Sequence, residues 1–149
     1  MRVESLQMEI LGLMSSSTRM GICDLLSKGV DHPDELAKRL KLRRQSVDKH
    51  LLALHKMGVV ERSAVFPTDG RPKIVYAVSG PAKILLGRVE EALRLYAVMM
   101  ANEFRESLLV LDDDLSAGRL DEQVYEQRRE SLEKQYARYI EWERERRKK

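Results

Sequence analysis

Between Lys38 and Lys56 the chain gathers seven bases, Lys38, Arg39, Lys41, Arg43, Arg44, Lys49 and Lys56, against one acid, Asp48. Cations at this density can neutralise the phosphates of a polyanion and displace its counterions, the main source of sequence-independent affinity for nucleic acid. Gln45, Ser46 and His50 stand among them. Arg and Gln can make paired hydrogen bonds to guanine and adenine edges, respectively, and Lys49 and His50 suit phosphates or base edges. A second basic pair, Arg71 and Lys73, lies beside Gly70, where the missing side chain lets the backbone come close to a ligand. A merely solvated helix face can carry the same charges, so the elements that hold these residues decide between the two readings.

Other chemistry is poorly represented. Cys23 is the single cysteine, which excludes an internal disulfide and any multi-cysteine zinc or iron–sulfur site. It falls in an apolar helix pattern and reads as a buried structural thiol rather than a redox sensor. His50 and His55 are five apart, a poor spacing for a shared metal, and His32 sits in a capping region. The run Asp112-Asp113-Asp114 points its carboxylates in different directions on a helix, so it reads as a solvated turn whose charge opposes the dipole and helps end that helix. No metal and no cofactor is expected. The chain has no Gly-rich phosphate loop, no His-Glu metal helix and no Gly-x-Ser-x-Gly, and a non-enzyme is expected. With two Phe, one Trp and five Tyr, a large aromatic-lined cofactor cavity is not expected. No segment approaches the ~18 apolar residues of a membrane span, and the N-terminus MRVESLQMEI is too polar for a secretory signal. The expectation is a cytoplasmic protein without a membrane partner.

The 149 residues, 43% of them apolar, can build one ordinary domain, or one small domain and an appendage. Charge divides the same way: residues 1–80 carry 13 bases and 9 acids, residues 81–149 carry 14 and 15. Helical spacing runs over 3–14, through Leu6, Ile10, Leu13 and Met14, and from a Ser16 or Ser17 cap to Lys28, with Gly29 as the stop. Asp31-His32-Pro33-Asp34-Glu35 reads as a helix start, with proline and acids in the first turn; Leu36, Ala37 and Leu40 are the buried side of a short helix at 33–40. A helix at about 44–57 follows, with Val47, Leu51, Leu54 and Met57 inward and Gly58 at its end. The period then shortens: Val59–Phe66 and Lys73–Val78 are strand-like around a Pro/Gly turn, which makes a β-hairpin.

Helix, helix, short helix, turn, helix, hairpin is the order of the winged helix-turn-helix. In that arrangement the short helix braces its successor, whose outer N-terminal face enters the DNA major groove while the hairpin reaches flanking phosphates or the minor groove. The expected contacts are Lys41, Arg43, Arg44, Gln45, Ser46, Lys49 and His50 on and before the recognition helix, and Arg71 and Lys73 on the wing.

Three segments resemble the ArsR/MarR-type winged-helix regulators: SSSTRMGICDLLSKG their second helix, DELAKRLKLRRQSVDKHLLALHKMGVVER their helix-turn-helix running into the wing, and GRPKIVYAVS the returning wing strand. About half of the chain is covered, from Leu6 to Ser79. The resemblance implies a DNA-binding transcription regulator, more often a repressor. Two positions depart from it. Lys41 stands where those proteins often have glycine, and Arg43 where they often have a Ser or Thr cap, so a looser turn and a less well capped helix are expected. The paired cysteines of the metal-sensing branch are missing near the brace helix, so metal sensing of that kind is not expected.

From Pro81 a helical period persists to Leu115, about 50 Å at ~1.5 Å per residue. Leu120-Asp121 then opens a second helix with Val124, Leu132, Tyr136, Tyr139 and Ile140 as its stripe, and the charged tail from Glu141 is expected to fray. A stripe that long, left uncovered, calls for a partner. The expected architecture is mainly α with a small β-hairpin: a winged helix-turn-helix domain at 1–80 and a helical-hairpin dimerisation region at 81–149, pairing through Leu86, Val89, Leu93, Met100, Phe104 and Leu108. Met99, Met100, Phe104 and Leu108 can instead line the pocket of a small-molecule effector, though such stripes are more often plain packing. The expected partners are double-stranded DNA and a second copy of the chain. A protein-interaction adaptor and a sequence-blind, chromatin-like DNA binder are the competing readings; a steep loss of affinity with salt separates DNA binding from the adaptor.

Overall fold

The computed structural model describes residues 3–148. Six helices and one hairpin follow in the order α1 (Val3–Ser15), α2 (Ser17–Ser27), α3 (Pro33–Leu40), α4 (Arg44–Lys56), β1 (Val60–Val65), β2 (Lys73–Val78), α5 (Gly80–Ser116) and α6 (Glu122–Arg147). The chain forms two compact units, Met1–Leu86 and Gly87–Lys149. The division falls six residues past the sequence-expected 80/81 because α5 begins inside the first unit, where Ala82 is buried and Leu86 packs on the core. No helix among the described residues is long and apolar enough to cross a membrane.

The first unit is a winged helix-turn-helix. Its core joins Leu13 of α1, Ile22, Cys23 and Leu26 of α2, Leu36 and Ala37 of α3, Val47, Leu51 and Leu54 of α4, and Val59, Val60 and Val78 at the base of the hairpin. Leu36, Val47, Leu51 and Leu54 are fully buried, so truncating any of these leucines to alanine costs about 2–5 kcal/mol. The hairpin is antiparallel, with Val60 opposite Val78 and Val65 opposite Lys73. Two tethers fix its base: the Tyr76 N–H donates to the Asp31 carbonyl in the loop before α3 at 3.0 Å, and the buried Ser79 hydroxyl donates to the Gly58 carbonyl in the turn after α4 at 2.7 Å while accepting from the Ala82 N–H. Burial holds the Cys23 thiol above its ordinary pKa, which keeps it protonated and unreactive.

Local chemistry sets the helix ends. The Ser16 side chain accepts from the Arg19 N–H, and the His32 imidazole Nδ1 accepts from the Asp34 N–H, each satisfying one of the orphan donors of a helix start. Four helices stop in Schellman motifs, in which the two N–H groups past the helix end turn back to its last carbonyls. In α2, α4 and α5 the left-handed residue is Gly29, Gly58 or Gly118; in α3 it is Lys41, at φ 55°. The turn expected to loosen for want of glycine therefore keeps its tight geometry: the Leu42 N–H reaches the Ala37 carbonyl at 2.9 Å, and a lysine bears the strain.

In the second unit the α5 segment from Gly87 onward and α6 form a helical hairpin. Ala97, Ala101 and Leu111 are buried on α5, and Tyr125 and Tyr136 on α6. The small alanines leave room for tyrosines: the Tyr136 ring lies 5.8 Å from Phe104, and Tyr139 meets Tyr96 edge-on at 5.8 Å. Asp121 caps α6 by accepting from the Val124 N–H. The acidic run is part of the last turns of α5 rather than a free solvated turn: Asp112 accepts from the Tyr125 hydroxyl at 2.6 Å, and Asp114 pairs with Arg119 at 2.7 Å. Nor does helical order stop at Glu141. α6 continues to Arg147 because Glu143 pairs with Arg105 of α5 and with Arg147, and Arg146 lies over the Trp142 ring; Lys149, in the tail expected to fray, lies outside the described residues.

Candidate nucleic-acid interface

Helix α4 turns Val47, Leu51 and Leu54 into the core. At 3.6 residues per turn the opposite ridge is Gln45, Lys49, Leu52 and Lys56, and all four are exposed. Ser46 and His50 lie on the flank and are half-buried, so they border this ridge rather than lead it. His55 is spent locally, its Nδ1 lying 3.2 Å from the Val60 carbonyl.

The N-terminal end of α4 is electropositive for two reasons. Arg43 stands at the cap position and makes no side-chain cap hydrogen bond, so the first N–H groups of the helix keep their affinity for an anion. Lys41, Arg43 and Lys49 are exposed and pair with no carboxylate among the described residues, and the same holds for Arg71 and Lys73 on the wing. Arg44 differs. Its guanidinium donates to Asp48 at 3.0 Å and to Asp34, at the start of α3.

The wing presents Arg71 in its connecting turn and Lys73 at the far end of the ladder. Three further residues of this surface escaped the sequence reading. Leu52 is 54% exposed in the middle of the α4 ridge, Phe66 is 75% exposed at the wing tip, and Arg62 is exposed on β1 opposite Tyr76. The α4 periodicity contained the signal for Leu52: it lies seven residues after Gln45, on the same face. Phe66 and Arg62 carried no comparable signal, because β1 beyond Val60 is exposed at every position and so has no burial alternation to read.

The residues expected to pair two copies are distributed differently from a single free stripe. Leu86 packs against the core of the first unit. Phe104 lies against Tyr136 of α6 in the same chain, with Met100, Leu108 and Val89 half-buried. Leu93 remains 60% exposed. The side of α5 turned away from α6 carries Leu95, Met99, Leu109 and Val110, all more than half exposed. Met99 and Phe104 thus face different ways, and the four residues expected to line an effector pocket do not converge on one cavity. Among the described residues, no cluster of three or more His, Cys, Asp or Glu is placed to hold a metal ion.

No protein-family model and no curated protein matches the chain. Two solved structures are similar to it over most of its length. One is an ArsR-like transcriptional regulator from Rhodococcus sp. RHA1, 25% identical over 81% of this chain and 100% of that one, with a TM-score of 0.45. The other is NadR in complex with 4-hydroxyphenylacetate, 20% identical over 76% of this chain and 81% of that one, with a TM-score of 0.47. At these scores the assignment of the winged helix-turn-helix rests on the element order, hairpin register and core described above.

Proposed function

We propose that this chain is a sequence-specific DNA-binding transcription regulator, acting as a homodimer and in the repressing mode common among the regulators its sequence resembles. The observation that carries the reading is the outward ridge of α4, bearing Gln45 and Lys49, beside the unpaired cations Lys41 and Arg43. In this reading α4 lies in the major groove. Gln45 and Lys49 address base edges, Leu52 offers an apolar surface to a thymine methyl, and Lys41 and Arg43 hold phosphates. Ser46 and His50 border the groove, and Arg71 and Lys73 bring the wing onto the flanking backbone or minor groove. A cytoplasmic location goes with such a partner.

Support for the homodimer comes from the apolar side of α5. Leu95, Met99, Leu109 and Val110, on the side turned away from α6, form the kind of surface that a soluble chain covers with a partner. Two-fold pairing would set two recognition helices one or two DNA turns apart, ~34 Å per turn, on a pseudo-palindromic site. The test is footprinting on genomic fragments, with affinity measured across a salt series and mass by sedimentation. Protection of two half-sites by a dimer, with affinity falling steeply as salt rises, is the expected result. Equal protection of all sequences would favour a sequence-blind binder, and salt-insensitive association with other proteins would favour an adaptor; either would overturn the proposal.

A further inference from the structure

Arg44 opens the recognition helix, yet its guanidinium is already engaged. Nε donates to Asp48 Oδ1 at 3.0 Å, one turn further along α4, and Nη1 donates to Asp34 Oδ1 across the turn, at the start of the brace helix. All three side chains are substantially exposed, so the cluster sits on the surface proposed to meet a duplex. The third acid of this helix pair, Glu35, is taken by Arg39 at 3.0 Å. Two carboxylates around one guanidinium leave a net charge of −1 at a point where Lys41, Arg43 and Lys49 are cationic and unpaired.

Such a cluster is badly suited to a phosphate. A phosphate approaching Arg44 meets two carboxylates as well as one cation, and its own charge is repelled. The neutral acceptors of a base edge escape most of that repulsion, because their attraction depends on direction more than on net charge. Three of the five guanidinium N–H groups remain for such acceptors. The two carboxylates also hold the side chain in one orientation, so less rotamer freedom is lost when it binds. Asp48 first and Asp34 second keep the guanidinium more firmly protonated than a free arginine, so the donors persist at any working pH.

We propose that Asp34 and Asp48 are positioning residues that reserve Arg44 for a guanine edge in the major groove and deny it to the phosphate backbone. The inference rests on the DNA-reading function proposed above and adds the device by which this surface tells a correct site from bulk duplex.

The test uses the full chain and two duplexes of equal length, one enriched from a random pool by the wild-type protein and one a shuffled version of it. Asp48→Asn is expected to tighten binding to the shuffled duplex about threefold or more, to steepen its log–log salt slope by ~0.9 as Arg44 takes up a phosphate, and to reduce preference for the enriched duplex about tenfold. Asp34→Asn is expected to act in the same direction, and thermal unfolding checks that each variant is folded. In an Arg44→Ala background the Asp48→Asn change is expected to have no further effect on preference, because the aspartate acts through the arginine. Equal tightening on both duplexes, or an effect that persists without Arg44, means a simple gain of charge and overturns the inference. A pool from which the wild type enriches nothing overturns the DNA-reading function itself, and that failure is visible before any aspartate is changed.

Discussion

Replacing Lys41 by glycine separates two roles that one residue combines. Its backbone lies at φ 55° in the Schellman turn between α3 and α4, and a side chain there costs about 1–2 kcal/mol. Glycine removes that cost but returns about 0.4–1 kcal/mol through the greater freedom of its unfolded chain. Taken at the midpoints, the balance is a gain of about 0.8 kcal/mol, or about 3–6 °C in the melting temperature of a unit this size. The same change deletes an unpaired ammonium beside the N-terminus of α4, and a lost phosphate contact makes the salt slope shallower by ~0.9. Lys41→Ala removes the charge and keeps the strain, so it should weaken binding equally without the gain in stability. The assays are thermal unfolding by circular dichroism and fluorescence anisotropy on a labelled duplex between roughly 50 and 200 mM salt. A glycine variant no more stable than wild type would refute the strain reasoning. An unchanged salt slope in both variants would refute the contact.

Three other outcomes follow from the same geometry. Leu52 is exposed and adds nothing to the core, so Leu52→Ala should change stability by no more than ~0.5 kcal/mol yet reduce preference for a thymine-bearing site; a large fall in melting temperature would place Leu52 in the packing instead. Arg105, assisted by Arg147, holds the Glu143 carboxyl below the ordinary carboxylate range. The stability this contributes is present above an unfolded-state pKa of ~4.3 and disappears as pH falls through the lowered value, so wild type and Glu143→Gln should converge in melting temperature on acidification; a gap that does not change with pH would count against the pairing. Leu95→Glu with Val110→Glu, on the side of α5 away from α6, should convert a dimer to monomers in sedimentation without reducing helix content; an unchanged mass would exclude that side as the contact.

Much of the first unit was legible because its signals are local. Gly29 and Gly58 mark helix ends, Pro33 with Asp34 and Glu35 marks a start, and the change from a helical to a strand period after Gly58 announces the hairpin. Each depends on what a residue does to its own backbone, and neighbours in sequence suffice to read it. The outer positions of α4 were legible for the same reason, since Val47, Leu51 and Leu54 can face only one way. The engagement of Arg44 was only half visible: Asp48 is one turn away on the same helix, but Asp34 lies ten residues back and reaches it only because α3 folds against α4.

The second unit marks the limit more sharply. Periodicity established two amphipathic helices joined near Gly118, with Asp121 capping the second. It could not establish which side of α5 the second helix would take, because apolar residues occupy more than one face, with Leu93 and Phe104 on one and Leu95 and Met99 on another. That choice came from volume, as Ala97 and Ala101 leave space that Tyr136 and Tyr139 can fill, and from charge, as Arg105 finds Glu143 thirty-eight residues away. Amino-acid order alone determined where most of this protein's helices and strands begin, where glycines end them, and which residues are cationic. Only tertiary packing decided which of those cations stay free and which apolar face stays bare, because both depend on groups distant in sequence competing for the same space and the same charge.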